Sequence, residues 1–147
     1  MTTVAFDGES MSCDTMMTDG GIRLYIETKM IKNSEFVLGW AGSVGVARRV
    51  LAGVAESSLG DLLISGVKGQ EDLESRLDIL LVCRETKQIF VLVGNNFISI
   101  RAAHHAIGSG ADVAIGAMMH GATSKQAVKT SSKVDLNTGG RVLTIKV

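Results

Sequence analysis

Apolar positions along the chain first follow the two-residue period of strands, then a helical period, and the switch happens twice. Thr2 to Phe6 is β-prone, Asp7-Gly8 is a two-residue hairpin signal, and Ser10 to Asp14 can return as the partner strand. A Gly20-Gly21 break precedes strand-like runs from Ile22 to Met30 and from Phe36 to Trp40. Spacing becomes helical at Val44, Ala47, Val50, Leu51 and Val54, and Leu59 to Val67 reads as a second, short helix. Four short strands are thus predicted before the first helix. Strand patterns return at Leu77 to Cys83, Gln88 to Val93 and Phe97 to Ile100, with Gly94-Asn95-Asn96 as a turn. Ala111 to His120 and Lys125 to Asp135 again carry helical spacing, Gly139-Gly140 stops the second, and Arg141 to Val147 alternates as a closing strand.

Runs of strands and runs of helices, without strict βαβ alternation, predict an α+β fold in which antiparallel sheets are covered by helix pairs. Two sheets between two helical layers, a four-layer αββα sandwich, fit this order. At 147 residues and 46% hydrophobic the chain has the size of a single domain spanning 1–147, and with no proline, repeat or low-complexity tract it offers no linker. Fifteen Lys+Arg against fifteen Asp+Glu give a formal net charge of zero, so no field gathers nucleic acid or an anionic membrane surface. Near-zero charge with a mean hydropathy of +0.27 favours an oligomer over a monomer. Two cysteines, Cys13 and Cys83, beside small or hydrophobic neighbours, read as reduced residues. Asp7 and Glu9 interrupt the N-terminus, and apolar runs such as Ile89 to Val93 fall short of the ~20 residues of a membrane helix, so a cytoplasmic location is expected.

The start Met1-Thr2-Thr3 carries the first candidate chemistry. Threonine is small enough for Met1 to be trimmed, which leaves Thr2 with a free α-amine. Such an amine titrates near ~8, so its neutral fraction can take the proton of the Thr2 hydroxyl, and one residue can supply nucleophile and base. Other constellations are weaker. His104, His105, His120 and Cys83 suggest a Cys-His hydrolase or a metal site, but adjacent His104 and His105 would face opposite sides of a strand and Cys83 sits mid-strand. Gly108-Ser109-Gly110 lacks the third glycine of a dinucleotide loop, where Val113 stands, and no phosphate-cradling Gly-Lys-Ser/Thr occurs. Neither metal nor cofactor is expected. Taken alone, Asp14 and Lys29 could be an ordinary cross-strand ion pair, and Gly108-Ser109-Gly110 a helix cap.

Six strings, in order along the chain, change that weighting. They are Thr2-Thr3-Val4-Ala5-Phe6, Asp14-Thr15-Met16-Met17-Thr18, Thr28-Lys29-Met30-Ile31, Gly39-Trp40-Ala41-Gly42, Ala106-Ile107-Gly108-Ser109-Gly110 and Asp135-Leu136-Asn137-Thr138-Gly139-Gly140. Together they resemble the proteasome β-subunit and HslV-type peptidase family, the N-terminal nucleophile threonine hydrolases. The resemblance implies that family's αββα fold and a threonine-type endopeptidase acting on peptides or unfolded proteins inside an oligomeric chamber. By resemblance Thr2 is the nucleophile, Lys29 the cation that favours its alkoxide-like state, and Asp14 the partner that fixes Lys29. Ser109 and Asp135 match the members that hold the α-amine and its water. Gly42 matches the backbone N–H that stabilises the oxyanion, Thr18 the position that pairs with extended substrate, and Trp40 a wall of the pocket for the residue before the cleaved bond. Lys32 competes with Lys29, but Lys29 alone precedes two apolar residues as in the family.

The chain is shorter than the HslV peptidase, its first hairpin is tighter than usual and its second helix is short. The implied assembly is a homo-oligomeric ring or stacked rings, with an ATP-dependent unfoldase left open as partner. Activation is expected to need only the removal of Met1. Two other functions stay open from the sequence: a non-catalytic ring-forming scaffold of the same fold, and an N-terminal nucleophile amidohydrolase for small amides.

Overall fold

Strands from the start and from the last third of the chain pair in one sheet, and the site described below is built where they pair. In the computed structural model, which describes residues 2–70 and 76–147, the predicted removal of Met1 lies outside the described residues. The first half runs β1 (Thr3–Phe6), β2 (Ser10–Cys13), β3 (Met16–Asp19), β4 (Ile22–Tyr25), β5 (Met30–Lys32), β6 (Phe36–Ala41), α1 (Val44–Val50) and α2 (Leu59–Ser65). The second half runs β7 (Asp78–Cys83), β8 (Ile89–Val93), β9 (Asn96–Ile100), β10 (His105–Gly108), α3 (Ala111–Met119), α4 (Ser124–Val134) and β11 (Leu143–Lys146).

A four-stranded antiparallel sheet has the order β10-β1-β2-β11, and a five-stranded antiparallel sheet the order β5-β6-β7-β8-β9. Strands β3 and β4 form a separate two-stranded ribbon. Three apolar clusters define the layers. Val4, Phe6, Met11 and Cys13 of the first sheet meet Val37, Leu80, Val82 and Ile89 of the second. The other face of the second sheet, with Phe36, Leu38, Trp40, Ile79 and Leu81, is covered by Ala47, Leu51 and Leu62 of the α1–α2 segment. The other face of the first sheet, with Ala5 and Ala106, is covered by Ala114, Met118, Ala127 and Val128 of α3 and α4. The result is the expected αββα order. Helix α4 opens on a Thr123–Gln126 capping box, and α1 and α2 on the serine caps Ser43 and Ser58. Among the described residues no helix is long and apolar enough to cross a membrane.

Several boundaries differ from the sequence expectation. The first turn centres on Gly8-Glu9, one residue beyond Asp7-Gly8, because the Asp7 carboxylate accepts the Glu9 and Ser10 amides and Asp7 itself pairs with Ser10. Six strands precede α1 instead of four. Met16–Asp19 forms a strand that periodicity alone does not mark, and the Ile22 to Met30 run is broken between Tyr25 and Met30. There the Ile26 amide bonds back to Thr15 O and the Met30 amide to Thr28 Oγ1, as the chain leaves the ribbon for the large sheet. The predicted helix to Val54 stops at Val50, with Gly53 in a left-handed conformation ahead of a short 3-10 turn. Strand β10 was also outside the predicted strand set; it forms because β1, buried throughout, needs a partner on each side.

Gly39, the strand partner of Met30, lies tightly against the first sheet. A Cβ built there would lie 2.4 Å from Val4 Cγ1 and 3.0 Å from Met11 Sδ. Its absence lets β1 approach β6 and brings Thr2, two residues before Val4, toward Lys29, one residue before Met30. Gly39→Ala should therefore destabilise the protein by about 1–3 kcal/mol through overpacking, although removing a glycine from an unstrained strand would normally stabilise. Urea denaturation reads the sign; a stability equal to or above wild type would contradict the close approach.

Candidate active site

Thr2 stands at the head of β1, in the middle of the four-stranded sheet, and is 1% exposed. Its hydroxyl donates to Asp14 Oδ1 and accepts from Lys29 Nζ. Asp14 follows β2, the neighbour of β1, and its own amide donates to Thr3 O at 3.2 Å. Lys29 comes from the segment entering the other sheet, so its side chain lies between layers. Its ammonium donates to Asp14 Oδ1 at 2.9 Å and also to Thr2 Oγ1 and Met16 O, which uses all three of its donors. Asp14 further accepts the Thr3 amide at 3.2 Å on Oδ1 and the Gly139 amide at 3.0 Å on Oδ2. Lys29 and Asp14 are 2% and 0% exposed, so both charges have exchanged water for each other and for these bonds. Burial pushes the Asp14 carboxyl up and the Lys29 ammonium down from their ordinary values, each opposed by the charge of the other. Lys32 is exposed, away from this pair.

A second cluster lies on the other side of Thr2. Gly108 closes β10 opposite Thr3, with a backbone so near that a Cβ would sit 1.9 Å from Thr2 O; only glycine fits. Ser109, the next residue, donates to Asp135 Oδ2 at 2.5 Å. Asp135 caps the C-terminal end of α4 and is half-buried. The same carboxylate oxygen accepts Thr138 Oγ1 at 2.6 Å, and Oδ1 accepts the Asn137 amide at 3.1 Å. Burial works against ionisation of Asp135, but the bonds from Ser109, Thr138 and Asn137 together hold its carboxyl below the usual carboxylate range. Thr138 also lies 2.7 Å from Thr3 Oγ1. Sequence reasoning did not single out Thr3, Thr138 or the Gly139 amide. The string Asp135 to Gly140 held a signal for Thr138, since it places a hydroxyl three residues after the carboxylate.

Gly42 and Thr18 share with Lys29 a cleft of about 220 Å³ that is also lined by Met16, Met17 and Val44. Thr18 is exposed on β3, whose only strand partner among the described residues is β4; Met16 bonds Gly139 and Lys29 at the start of the other edge, and no strand lies beside Thr18 there. Trp40 borders a larger cleft of about 600 Å³ with Tyr25, Glu27, Ile31, Val44 and Arg48, and its amide donates to Lys29 O at 3.0 Å. It is also a core residue, packed in the cluster of Ala47 and Leu51. Thus Thr2, Asp14 and Lys29 touch one another, Ser109 and Asp135 touch each other, Gly42 and Thr18 flank Lys29, and Trp40 stands one cleft away. Burial pushes the Cys13 thiol up to about 11, which leaves it inert as a nucleophile. Among the described residues no three His, Cys, Asp or Glu side chains gather as a metal site.

No protein-family model matches the sequence, and no curated protein matches it. Solved structures do match in shape. Thiobacillus denitrificans BPH aligns with a TM-score of 0.73 at 20% identity, over 100% of this chain and 97% of that one. Thiobacillus denitrificans BPH in complex with epoxomicin gives 0.74 at 19%, over 100% and 98%. Eukaryotic HslV from Trypanosoma brucei gives 0.69 at 17%, over 99% and 97%. The likeness extends over the whole length of each chain, and the αββα architecture described above is the N-terminal nucleophile hydrolase fold of BPH and HslV.

Proposed function

We propose that this protein is a threonine-type endopeptidase in which Thr2, freed by removal of Met1, is the nucleophile and its own α-amine the base. The observation that carries the reading is the buried Thr2 hydroxyl held between the Lys29 ammonium and the Asp14 carboxylate. A threonine hydroxyl becomes a competent nucleophile only when its proton has an acceptor and the local field favours negative oxygen. In this reading the α-amine takes the proton, and Lys29 lowers the cost of charge on Oγ1. Oγ1 attacks the peptide carbonyl, and the oxyanion that forms is held by the Gly42 N–H. Collapse breaks the C–N bond, the amine proton passes to the leaving nitrogen, and an ester to Thr2 remains. Water, deprotonated by the same amine, hydrolyses the ester. Ser109 and Asp135 position the amine and that water.

The edge of β3 at Thr18, beside which no strand lies among the described residues, suits an extended peptide that adds a strand there, and the Trp40 cleft suits the side chain before the cleaved bond. This favours peptides and unfolded proteins over small amides. The reading extends to a homo-oligomeric ring or stacked rings in the cytoplasm, with an ATP-dependent unfoldase left open as partner; supporting the ring are the fold shared with HslV and the zero net charge.

Intact-mass measurement before and after exposure to a peptide epoxyketone tests the nucleophile, since the stable ring adduct needs a free α-amine beside a hydroxyl. Loss of Met1 and a single adduct on Thr2 are expected, with Thr2→Ala giving neither adduct nor peptide hydrolysis. A protein that keeps Met1 and gains no mass would move the scaffold reading to the front. Stability separates the charged partners. Asp14→Asn strands a buried ammonium and should cost about 3–5 kcal/mol, whereas Lys29→Met leaves Asp14 with the Thr2, Thr3 and Gly139 donors and should cost less, while both lower kcat. Urea denaturation giving the reverse order would refute this account of the pair.

A further inference from the structure

We infer that Thr3 is a positioning residue that joins the Asp14 and Asp135 carboxylates and sets the direction of the hydrogen bonds leading to Asp135. The inference rests on the peptidase reading for its kinetic consequence, and on geometry alone for the bridge itself. Thr3 is 0% exposed. Its amide donates to Asp14 Oδ1 at 3.2 Å, its carbonyl accepts the Asp14 amide at 3.2 Å, and its hydroxyl meets Thr138 Oγ1 at 2.7 Å. Among the described residues no other is bonded both to Asp14 and, through one hydroxyl, to the Asp135 network. Gly110 makes room for it: a Cβ there would lie 2.1 Å from Thr3 Oγ1.

The polarity of this chain follows from counting protons. An ionised carboxylate can only accept, so Thr138 must spend its single hydroxyl proton on Asp135 Oδ2, as Ser109 also does. Thr138 Oγ1 can then only accept from Thr3, and the order is fixed as Thr3 to Thr138 to Asp135, with Ser109 joining from the far side. Each donation polarises the next, so the Thr3 hydroxyl strengthens the bond that stabilises the Asp135 anion. Thr3 is also peptide-bonded to Thr2, so any rotation of Thr3 displaces the nucleophile. Valine has the shape of threonine without the hydroxyl. It would fill the site, leave the buried Thr138 oxygen short of a donor, and free Thr3 from the relay.

The test compares Thr3→Val and Thr3→Ser in the full chain, by steady-state peptide hydrolysis and by carboxyl NMR titration of Asp135. Thr3→Val should keep KM within about twofold and lower kcat by about tenfold, the loss of one buried hydrogen bond in the working site. Its Asp135 carboxyl should titrate at higher pH than in wild type, and Thr3→Ser should restore both quantities. Thr3→Ala carries the same expectation and covers the case in which the valine variant does not fold. Wild-type kcat in Thr3→Val, or a Thr3→Ser as slow as Thr3→Val, would overturn the positioning role. If wild type itself hydrolyses no peptide, the peptidase reading falls separately, and the titration decides the bridge: an upward shift in Thr3→Val sustains it and an unchanged midpoint ends it.

Discussion

A lysine ammonium cut off from water dictates the arrangement around it. Between two sheets the Lys29 charge has no solvent, so it must find a counter-charge and acceptors for all its protons. Those acceptors come from separate places in the chain: the Thr2 hydroxyl ahead of β1, the Asp14 carboxylate after β2 and the Met16 carbonyl at the start of β3. Satisfying one cation therefore fixes the relative positions of several strand ends. Asp14 passes the constraint on, because its second oxygen is held by the Gly139 amide from near the end of the chain. Apolar packing sets the spacing of the layers, and this pair decides what stands at their edge.

The two carboxylates of the site occupy opposite environments. Asp14 is enclosed and faces a full charge; Asp135 is half-buried and faces neutral hydroxyls and an amide. Burial raises the first, while the bonds made by the second outweigh its burial and keep it low. Environments that separate two like groups in this way allow them different tasks. One anchors a cation, and the other holds a row of hydroxyl protons in a single order.

Much of the fold could be read from periodicity and turn signals. The Lys125 helix and the closing strand bury one face against a layer, whereas the β1–β2 hairpin, covered on both faces, is marked by its turn. The short strands β3 and β10 could not be read from periodicity, since each exists only through a partner supplied by the fold: β4 for one, β1 for the other. The break between Tyr25 and Met30 was hidden for the same reason, as the backbone there bonds to Thr15 and to the Thr28 hydroxyl instead of continuing a ladder. Asp14, Lys29, Ser109 and Asp135 stood out through their local strings. Thr3 and Thr138 did not, because a hydroxyl contact between residues 3 and 138 has no local sequence signature, and a main-chain donor such as the Gly139 amide has none at all. Trp40 could be read as core or as pocket wall; it packs in a core cluster and also borders a cleft.

The sheet that carries Thr2 takes its inner pair from the start of the chain and its outer strands, β10 and β11, from the far end. The partners that complete the hydrogen bonds of residues 2 to 14 lie far along the chain, from His105 to Lys146. Until those partners are in place, the β1–β2 hairpin has both edges and one Asp14 carboxylate oxygen unfilled. Thr2 is thus framed by residues that are made long after it. The site around it therefore assembles only once most of the chain has been synthesised.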